Sequence, residues 1–137
     1  MSLWLLKSEP DVYSFDDLVK EGETLWTGVR NNAAALHMKA MQPGDQAFFY
    51  HSNIGKEIVA LARISKAASP DPTDETGRWV AAAIQPVRKL PRPVTLAEMK
   101  ATPALADFQL IRQSRLSVVP VRPEEWKLLL EMAGDGG

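Results

Sequence analysis

The residues best suited to chemistry are three short polar ones that follow an aromatic run. Residues 48–50 are Phe-Phe-Tyr, which is typical of a strand because flat rings pack well on a pleated, half-buried surface. His51, Ser52 and Asn53 come next, and Gly55 then marks a hairpin loop. Hydrogen-bonding side chains fixed at a strand end are positioned to bind a ligand. A buried strand whose polar end only closes a turn explains the same residues, so both interpretations stay open.

Catalysis is not what this segment favours. His51 and Ser52 are neighbours on a strand and point to opposite faces, so they cannot form a nucleophile–base pair without a distortion. Glu9 and Asp11 could act as paired carboxylates, but beside Pro10 they are more simply loop and turn residues. The sequence also lacks a Gly-x-Ser-x-Gly elbow, a phosphate-binding loop and a dinucleotide fingerprint. We therefore expect no catalytic residues and a protein that is not an enzyme.

A second group of residues, around Trp26, is suited to binding a planar ligand. Trp26 ends a short predicted strand, and Thr-Gly-Val then leads to Arg30 and Asn31. Tryptophan can stack on a flat ring, while arginine and asparagine offer forked hydrogen bonds to base edges or phosphate. The helix that follows presents its N-terminal amides, which suit an anion. A core tryptophan beside an ordinary helix start is the alternative that this segment alone leaves open.

Composition narrows the class of protein. A chain of 137 residues can bury its own core, and we expect a single domain over residues 1–137. Without cysteine and with only two histidines, His37 and His51, the chain is poorly equipped for a metal site, so we expect no metal and no cofactor. No apolar run approaches the ~20 residues that span a bilayer, and the N-terminus lacks a signal-peptide pattern. We expect a cytoplasmic protein with no membrane partner.

Charge is low overall but uneven along the chain. The formal net charge is −1 and the pI about 6.1, which argues against gripping long duplex DNA through the overall field. Between residues 85 and 122 only Glu98 and Asp107 oppose the basic residues Arg88, Lys89, Arg92, Lys100, Arg112, Arg115 and Arg122. That excess suits a phosphate-bearing partner, or it is an ordinary solvated face.

Hydrophobic pattern and breakers predict an α+β domain of about six short strands and four helical pieces. The strands are expected over residues 2–6, 24–26, 46–50, 57–64, 79–87 and 116–121, and the helices over 15–20, 31–41, 96–101 and from Pro123 onward. Ser14 and the pair Thr95 and Glu98 are typical of helix N-caps, and Gly22 of a helix end. We expect 69–77 to be a surface loop, 91–93 to be a stiff proline connector and 134–137 to fray.

Six segments in order resemble the EVE domain family, and together they cover nearly the whole chain. They are residues 4–10 (WLLKSEP), 26–31 (WTGVRN), 49–53 (FYHSN), 69–73 (SPDPT), 86–90 (PVRKL) and 112–118 (RQSRLSV). Six ordered motifs are far more specific than one short pattern. The resemblance implies a PUA-like fold, a small mixed β-barrel of about six strands flanked by short helices.

The resemblance also implies a function, a non-enzymatic module that binds a modified nucleobase in DNA or RNA. EVE domains are associated with 5-methylcytosine and 5-hydroxymethylcytosine, and the related YTH domains with N6-methyladenine in RNA. By this resemblance Trp26 would stack on an extruded base, while Arg30 and Asn31 would shape the pocket and contact phosphate. Hydrogen bonds to the base edge or backbone would come from Lys7, Ser8, His51, Ser52 and Asn53. The remaining implied site residues are Gly28, Val29 and Tyr50, with Arg115 and Ser117 at the rim.

One departure from the family and two alternatives bear on this function. After Asn31 the family usually continues with an aromatic residue, Gln, Ala, Arg and Asn, whereas residues 32–36 here are NAAAL. The missing aromatic, amide and basic groups predict a weaker nucleic-acid rim. The same pocket could instead sense a free modified nucleoside or other planar ligand, or belong to an accessory protein of a nucleic-acid modification or restriction system. The sequence leaves the oligomeric state open, with a monomer the simpler expectation.

Overall fold

One mixed sheet of six strands carries the fold. The computed structural model describes residues 2–113 and 115–135. The strands are β1 (Leu3–Ser8), β2 (Thr24–Leu25), β3 (Gln46–His51), β4 (Glu57–Pro70), β5 (Val80–Thr95) and β6 (Val118–Pro120), in the order β2-β5-β4-β3-β1-β6. Strands β1 and β3 are parallel and all other neighbours are antiparallel. The predicted α+β class, strand number and mixed pairing are confirmed, and within the described ranges the sheet is open between β2 and β6.

Five helices and a 3-10 turn flank the sheet within the described ranges. They are α1 (Phe15–Glu21), α2 (Asn32–Ala40), α3 (Leu96–Lys100), the turn Pro103–Leu105, α4 (Gln109–Arg112) and α5 (Pro123–Met132). Predicted caps are confirmed: the Ser14 hydroxyl accepts from the Asp17 amide at 3.1 Å, and Gly22 ends α1 with a left-handed φ of 79°. Helix α4 was not predicted, because four residues are too few to show a helical period. None of these helices is both long and apolar enough to cross a membrane.

The β4–β5 hairpin is longer than predicted, and two predictions about it are wrong. Strand β4 continues past residue 64 to Pro70, and β5 runs through the proline segment 91–93 to Thr95. Ala60 pairs with Lys89 and Ile58 with Val94, so the single residue Val59 on β4 lies opposite the four residues 90–93 on β5, and the prolines lie in this bulge. The only other neighbour of β5 in the described residues is β2, paired at residues 83–84, so no partner strand needs the missing proline donors.

Both faces of the central strands are buried against aromatic side chains. Phe48 is fully buried and stacks on Trp126 of α5, with the ring centroids 4.0 Å apart. Phe49 is fully buried on the opposite face, where Phe15 of α1 and Trp26 meet it edge-on at 5.5 and 5.7 Å. Strand β3 is therefore clamped from both sides, which fixes the position of the polar residues at its end.

The chain end after α5 is tied to the sheet as far as it is described. The Gly134 amide donates to the Glu131 carbonyl at 3.0 Å. The Asp135 amide donates to the Leu130 carbonyl at 2.8 Å, and its carboxylate pairs with Arg88 of β5. Two residues of the tail predicted to fray are thus hydrogen-bonded, while Gly136 and Gly137 lie outside the described residues.

Candidate functional site

Two clefts adjoin at the edge of the sheet where the parallel strands β1 and β3 end. The first, which we name the aromatic cleft, encloses about 500 Å³ and is lined by residues 7–9, 12–13, 24–30 and 117. The second, the basic cleft, encloses about 410 Å³ and is lined by residues 7–9, 50, 52–53, 56, 96, 110, 115 and 117. Residues 7–9 and 117 belong to both and form a common wall. Lys7 of β1 lies in register with Tyr50 of β3, so two separate sequence motifs meet here.

The aromatic cleft owes its name to Trp26 and Tyr13. Trp26 is only 8 % exposed, and its ring is held edge-on by Phe49 and by Tyr13, whose centroid is 6.3 Å away. Trp26 is thus both a core residue and part of the cleft wall. Burial, and then the nearby Glu21 carboxylate, raise the pKa of Tyr13 to about 12, so its hydroxyl stays protonated at neutral pH.

A buried carboxylate fixes the backbone of the cleft wall. Asp71 is 2 % exposed, and its Oδ2 accepts from the Gly28 amide at 2.9 Å and from Arg30 Nη1 at 3.0 Å. Its Oδ1 accepts from the amide and the hydroxyl of Thr73, both at 2.7 Å. Burial opposes ionisation, but these hydrogen bonds outweigh it and hold the pKa of Asp71 well below its usual range. The prediction of a simple surface loop over 69–77 is therefore wrong at Asp71.

Gly28 is the residue that lets the wall reach this carboxylate. Its φ is 82°, in the left-handed region that residues other than glycine rarely adopt. On one side of it the Trp26 amide is anchored to the Ala82 carbonyl at 2.8 Å, and on the other Val29 is buried in the core. The segment is thereby pinned at its strand, at Asp71 and at its apolar side chain, so the cleft has a preformed wall.

Arg30 and Asn31 have partners within the protein. The Arg30 guanidinium lines the aromatic cleft, but it is paired with Asp71 and its Nη2 donates to the Thr73 hydroxyl at 3.2 Å. The Asn31 side chain caps α2 by accepting from the Ala34 amide at 3.1 Å, and Asn31 is not among the residues that line either cleft. The predicted shaping of the pocket by Arg30 fits this geometry, whereas Asn31 acts on the helix.

The basic cleft is lined by cations from three segments. Lys7 comes from β1, Lys56 from the β3–β4 turn and Arg115 from the segment before β6. Burial lowers the pKa of the Lys7 ammonium, and burial together with the Glu57 charge raises the pKa of Tyr50. Predicted site residues Ser52, Asn53 and Ser117 also line this cleft. Ser114, which belongs to the same motif as Arg115, lies outside the described residues.

Ser8 stands in the common wall with its proton already used. Its hydroxyl donates to the Tyr13 carbonyl at 2.6 Å, and the Ser8 carbonyl accepts from the Ser52 amide at 2.9 Å. A serine hydroxyl has one proton and two lone pairs. Toward a ligand Ser8 can therefore act only as an acceptor, which suits an amino group on a base edge.

His51 is the predicted site residue that the fold directs elsewhere. Its Nε2 accepts from the Phe15 amide at the start of α1, at 3.2 Å, and its ring meets Phe49 edge-on at 5.7 Å. Neighbouring Tyr50 and Ser52 line the basic cleft, so strand alternation places His51 on the opposite face. The first amides of a helix need external acceptors, and His51 supplies one. Burial lowers its pKa, consistent with a neutral acceptor nitrogen.

Two lining residues, Tyr13 and Lys56, and the supporting residue Asp71 were missed from the sequence. Tyr13 and Lys56 had no motif of their own, since one sits in a turn and the other at a hairpin end where many side chains are tolerated. Asp71 did carry a signal, because an Asp followed two residues later by Thr is typical of a side-chain-capped turn. Among the described residues no cluster of three or more His, Cys, Asp and Glu is arranged to hold a metal.

Comparison with known proteins gives consistent matches over nearly the whole chain. The model of the EVE domain family matches residues 2–132. Human thymocyte nuclear protein 1 is 33% identical over an alignment of 165 positions, gaps included, that covers 96% of this chain and 73% of that protein.

Two solved structures are similar over nearly their full length. The protein Rpa0253 from Rhodopseudomonas palustris is 54% identical with a TM-score of 0.93, over 98% of this chain and 94% of that one. The human THYN1 protein in complex with DNA containing 5-methylcytosine is 33% identical with a TM-score of 0.90, over 97% of this chain and 98% of that one. The site described above is therefore set in a fold shared with these proteins.

Proposed function

This chain belongs to the EVE domain family, and from that premise we propose that it is a non-enzymatic module that binds DNA carrying a modified base of the 5-methylcytosine type. The observation that carries the proposal is the shared wall between an aromatic cleft and a basic cleft. A nucleotide needs both surfaces, one for a flat base and one for its phosphate. The complex of the human THYN1 protein with DNA containing 5-methylcytosine supports this assignment, since the two chains share their fold.

The base belongs in the aromatic cleft. About 500 Å³ is within the range of ligand pockets, and a base would lie among Trp26, Tyr13 and Val29. Ser8 Oγ and the Glu9 side chain, both in the common wall, offer acceptors for the amino group of a cytosine ring. A base must leave its stack to be read in this way, which costs a few kcal/mol in a duplex and less in a single strand.

The backbone belongs in the basic cleft. Lys7, Lys56 and Arg115 come from three segments that the fold brings together, and Lys7 also faces the base side. Since the net charge of the chain is −1, attraction to phosphate must come from local groups of cations such as this one rather than from the overall field. We expect binding that weakens steeply with salt.

The geometry supports binding without catalysis. His51 is on the far face of β3, and the Ser8 proton is engaged by the Tyr13 carbonyl. Among the described residues that line the two clefts there is no histidine that could serve as the base for a nucleophilic hydroxyl.

The test is binding of the purified protein to labelled oligonucleotides measured by fluorescence anisotropy. Single-stranded DNA and RNA of one sequence would carry one 5-methylcytosine, 5-hydroxymethylcytosine, N6-methyladenine or unmodified base, at low and physiological salt. We expect preference for a modified cytosine in DNA and a loss of affinity with salt. Equal affinity for modified and unmodified strands would overturn the proposal. Equal affinity for the free modified nucleoside and the strand would indicate a small-ligand sensor instead.

A further inference from the structure

A third depression lies between α2 and the loop that joins β4 to β5. This loop cleft encloses about 250 Å³ and is lined by Asn32, Ala35, Leu36, Lys39, Arg78 and Trp79. Its lining includes two cations and no acid. No carboxylate among the described residues forms an ion pair with Lys39 or Arg78. The cleft is thus a local positive surface on a chain of net charge −1.

Arg78 is held in place by neutral partners. Its guanidinium carbon lies 4.8 Å from the centroid of the Trp79 ring, and its Nη2 donates to Asn32 Oδ1 at 3.1 Å. An aromatic face and an amide oxygen orient the planar group without neutralising it. Arg30 differs, because the buried Asp71 carboxylate compensates its charge. Arg78 therefore forms no ion pair with a described carboxylate, and the guanidinium donors that Asn32 does not engage match the geometry of a phosphate.

The loop cleft lies beside the aromatic cleft, with Arg30 on one side and Trp79 on the other. Arg30 lines the aromatic cleft, and its guanidinium carbon lies 6.0 Å from the centroid of the Trp79 ring, which lines the loop cleft. A strand whose base enters the aromatic cleft can thus leave it over Arg30 and pass onto Arg78. The basic cleft adjoins the aromatic cleft through a different set of residues, the common wall of 7–9 and 117.

We propose that Arg78 and Lys39 bind a backbone phosphate of the strand whose modified base occupies the aromatic cleft, on the side away from the basic cleft. This inference rests on the proposed function, and it extends the contact surface from one nucleotide to its neighbour. The exposed Leu36 and the Trp79 ring give the sugar an apolar surface between the two cations. Arg78 and Lys39 would then supply the basic groups that residues 32–36 lack.

The experiment compares Arg78→Ala with Lys127→Ala, which removes one exposed cation from α5 and leaves the clefts unchanged. Both variants would be titrated with a short oligonucleotide that ends at the modified base and with one extended by several nucleotides on both sides. For the long strand we expect Arg78→Ala to lose about tenfold in affinity. Its salt slope should also fall by about 0.7, the value for one phosphate of a single strand. For the short strand Arg78→Ala should match Lys127→Ala.

Two further variants guard the interpretation. Arg78→Lys keeps the charge and loses the fork, so we expect it to restore the salt slope but only part of the affinity. Trp79→Leu frees the guanidinium and should weaken long-strand binding in the same direction as Arg78→Ala.

The outcomes separate the two proposals. If the wild-type protein does not distinguish modified from unmodified strands, the proposed function fails. If it does, and Arg78→Ala and Lys127→Ala bind the long strand with the same affinity and salt slope, only the phosphate site is overturned. The phosphate site would also be overturned if an acidic peptide bound the loop cleft while the long strand stayed bound with unchanged affinity.

Discussion

The Asp71 carboxylate accepts four hydrogen bonds, and their donors come from two segments: Gly28 and Arg30 in the wall of the aromatic cleft, and Thr73 in its own loop. Asp71 lines neither the aromatic nor the basic cleft, so its part in binding is to hold the residues that do. A carboxylate accepts at four positions with little directional conflict, whereas an amide of the same shape places two protons against these donors. The identity of this one residue therefore decides whether the wall is held.

Removing the Asp71 charge should destabilise the fold. Asp71→Asn leaves the Arg30 guanidinium and the Gly28 amide without an ionised acceptor. Because Asp71 is buried but Arg30 is 39 % exposed, we expect a loss of about 2 kcal/mol, the scale of hydrogen bonds to a charged group. Urea unfolding followed by circular dichroism measures the loss. Glu131→Gln, at an exposed position of α5, is the matched control and should change stability little. Equal stability of the two variants would show that the carboxylate is not needed.

The same residue predicts how stability depends on pH. Because the pKa of Asp71 is lower in the folded protein than in the unfolded chain, the unfolded chain binds more protons as pH falls. The ionised Asp71 therefore adds its full share to the free energy of unfolding above about pH 5. That share is lost progressively below about pH 4, as the pH falls toward the pKa of the folded protein. Urea unfolding across this range should show a decline that is shallower in Asp71→Asn. An identical decline in both proteins would assign the acid sensitivity to other carboxylates.

Trp26 should contribute to ligand binding through its ring area. Trp26→Phe keeps an aromatic ring against Phe49 but shortens the surface facing the cleft, so we expect about a tenfold loss of affinity for the modified strand. Trp126→Phe makes the same change on the other face of the sheet, where Trp126 stacks on Phe48. Anisotropy titration measures the affinity of both variants for the modified strand. A comparable loss in Trp126→Phe would point to destabilisation rather than to a contact.

At the scale of elements, the sequence predicts regular structure well and long-range placement poorly. Caps at Ser14 and Thr95 are local, three-residue signals, and both are present as capping boxes. The continuation of β5 through its prolines depends on a bulge opposite β4, which no local pattern reports. The direction of the His51 side chain is likewise set by a distant residue, because its Nε2 accepts from the Phe15 amide at the start of α1. The two clefts lie where the motifs meet, but the burial of Asp71 required the fold.

Helix α2 provides a test of what Asn31 does. Asn31→Ala removes the side-chain acceptor of the Ala34 amide and should cost about 1 kcal/mol of stability, while Asn31→Asp keeps the cap and the stability. If Asn31 only caps the helix, Asn31→Asp should bind the modified strand as the wild type does. A phosphate contact would instead make the added negative charge weaken binding markedly. Urea unfolding and anisotropy on the same two variants distinguish these outcomes.

At the scale of the whole molecule, most of the excess basic residues between 85 and 122 form ion pairs with acids. Four cations of this stretch are matched by acids, namely Arg88 with Asp135, Lys89 with Asp16, Arg92 with Glu98 and Arg122 with Glu125. Arg115 instead lines the basic cleft. The stretch is therefore largely a neutralised surface, with one member placed for a phosphate.

This distribution predicts which charges govern the salt dependence of binding. Arg115→Ala should lower the slope of log affinity against log salt by about 0.7 for single-stranded DNA, because one phosphate contact is lost. Arg88→Ala removes the same charge from a pair with Asp135 and should leave the slope unchanged. Titrations at several salt concentrations give both values. Equal slopes for the two variants would contradict the assignment of phosphate to the basic cleft.

The wall of residues 7–9 and 117 is common to both clefts, so the two are set at a fixed distance from each other. A molecule fills both only if its flat ring and its anionic group are separated by the span of that wall. A free base or a free phosphate would fill only one of the two clefts, whereas a nucleotide would fill both. Selectivity for a nucleotide over a free base, nucleoside or phosphate would follow from this spacing, before any contact reads the modification.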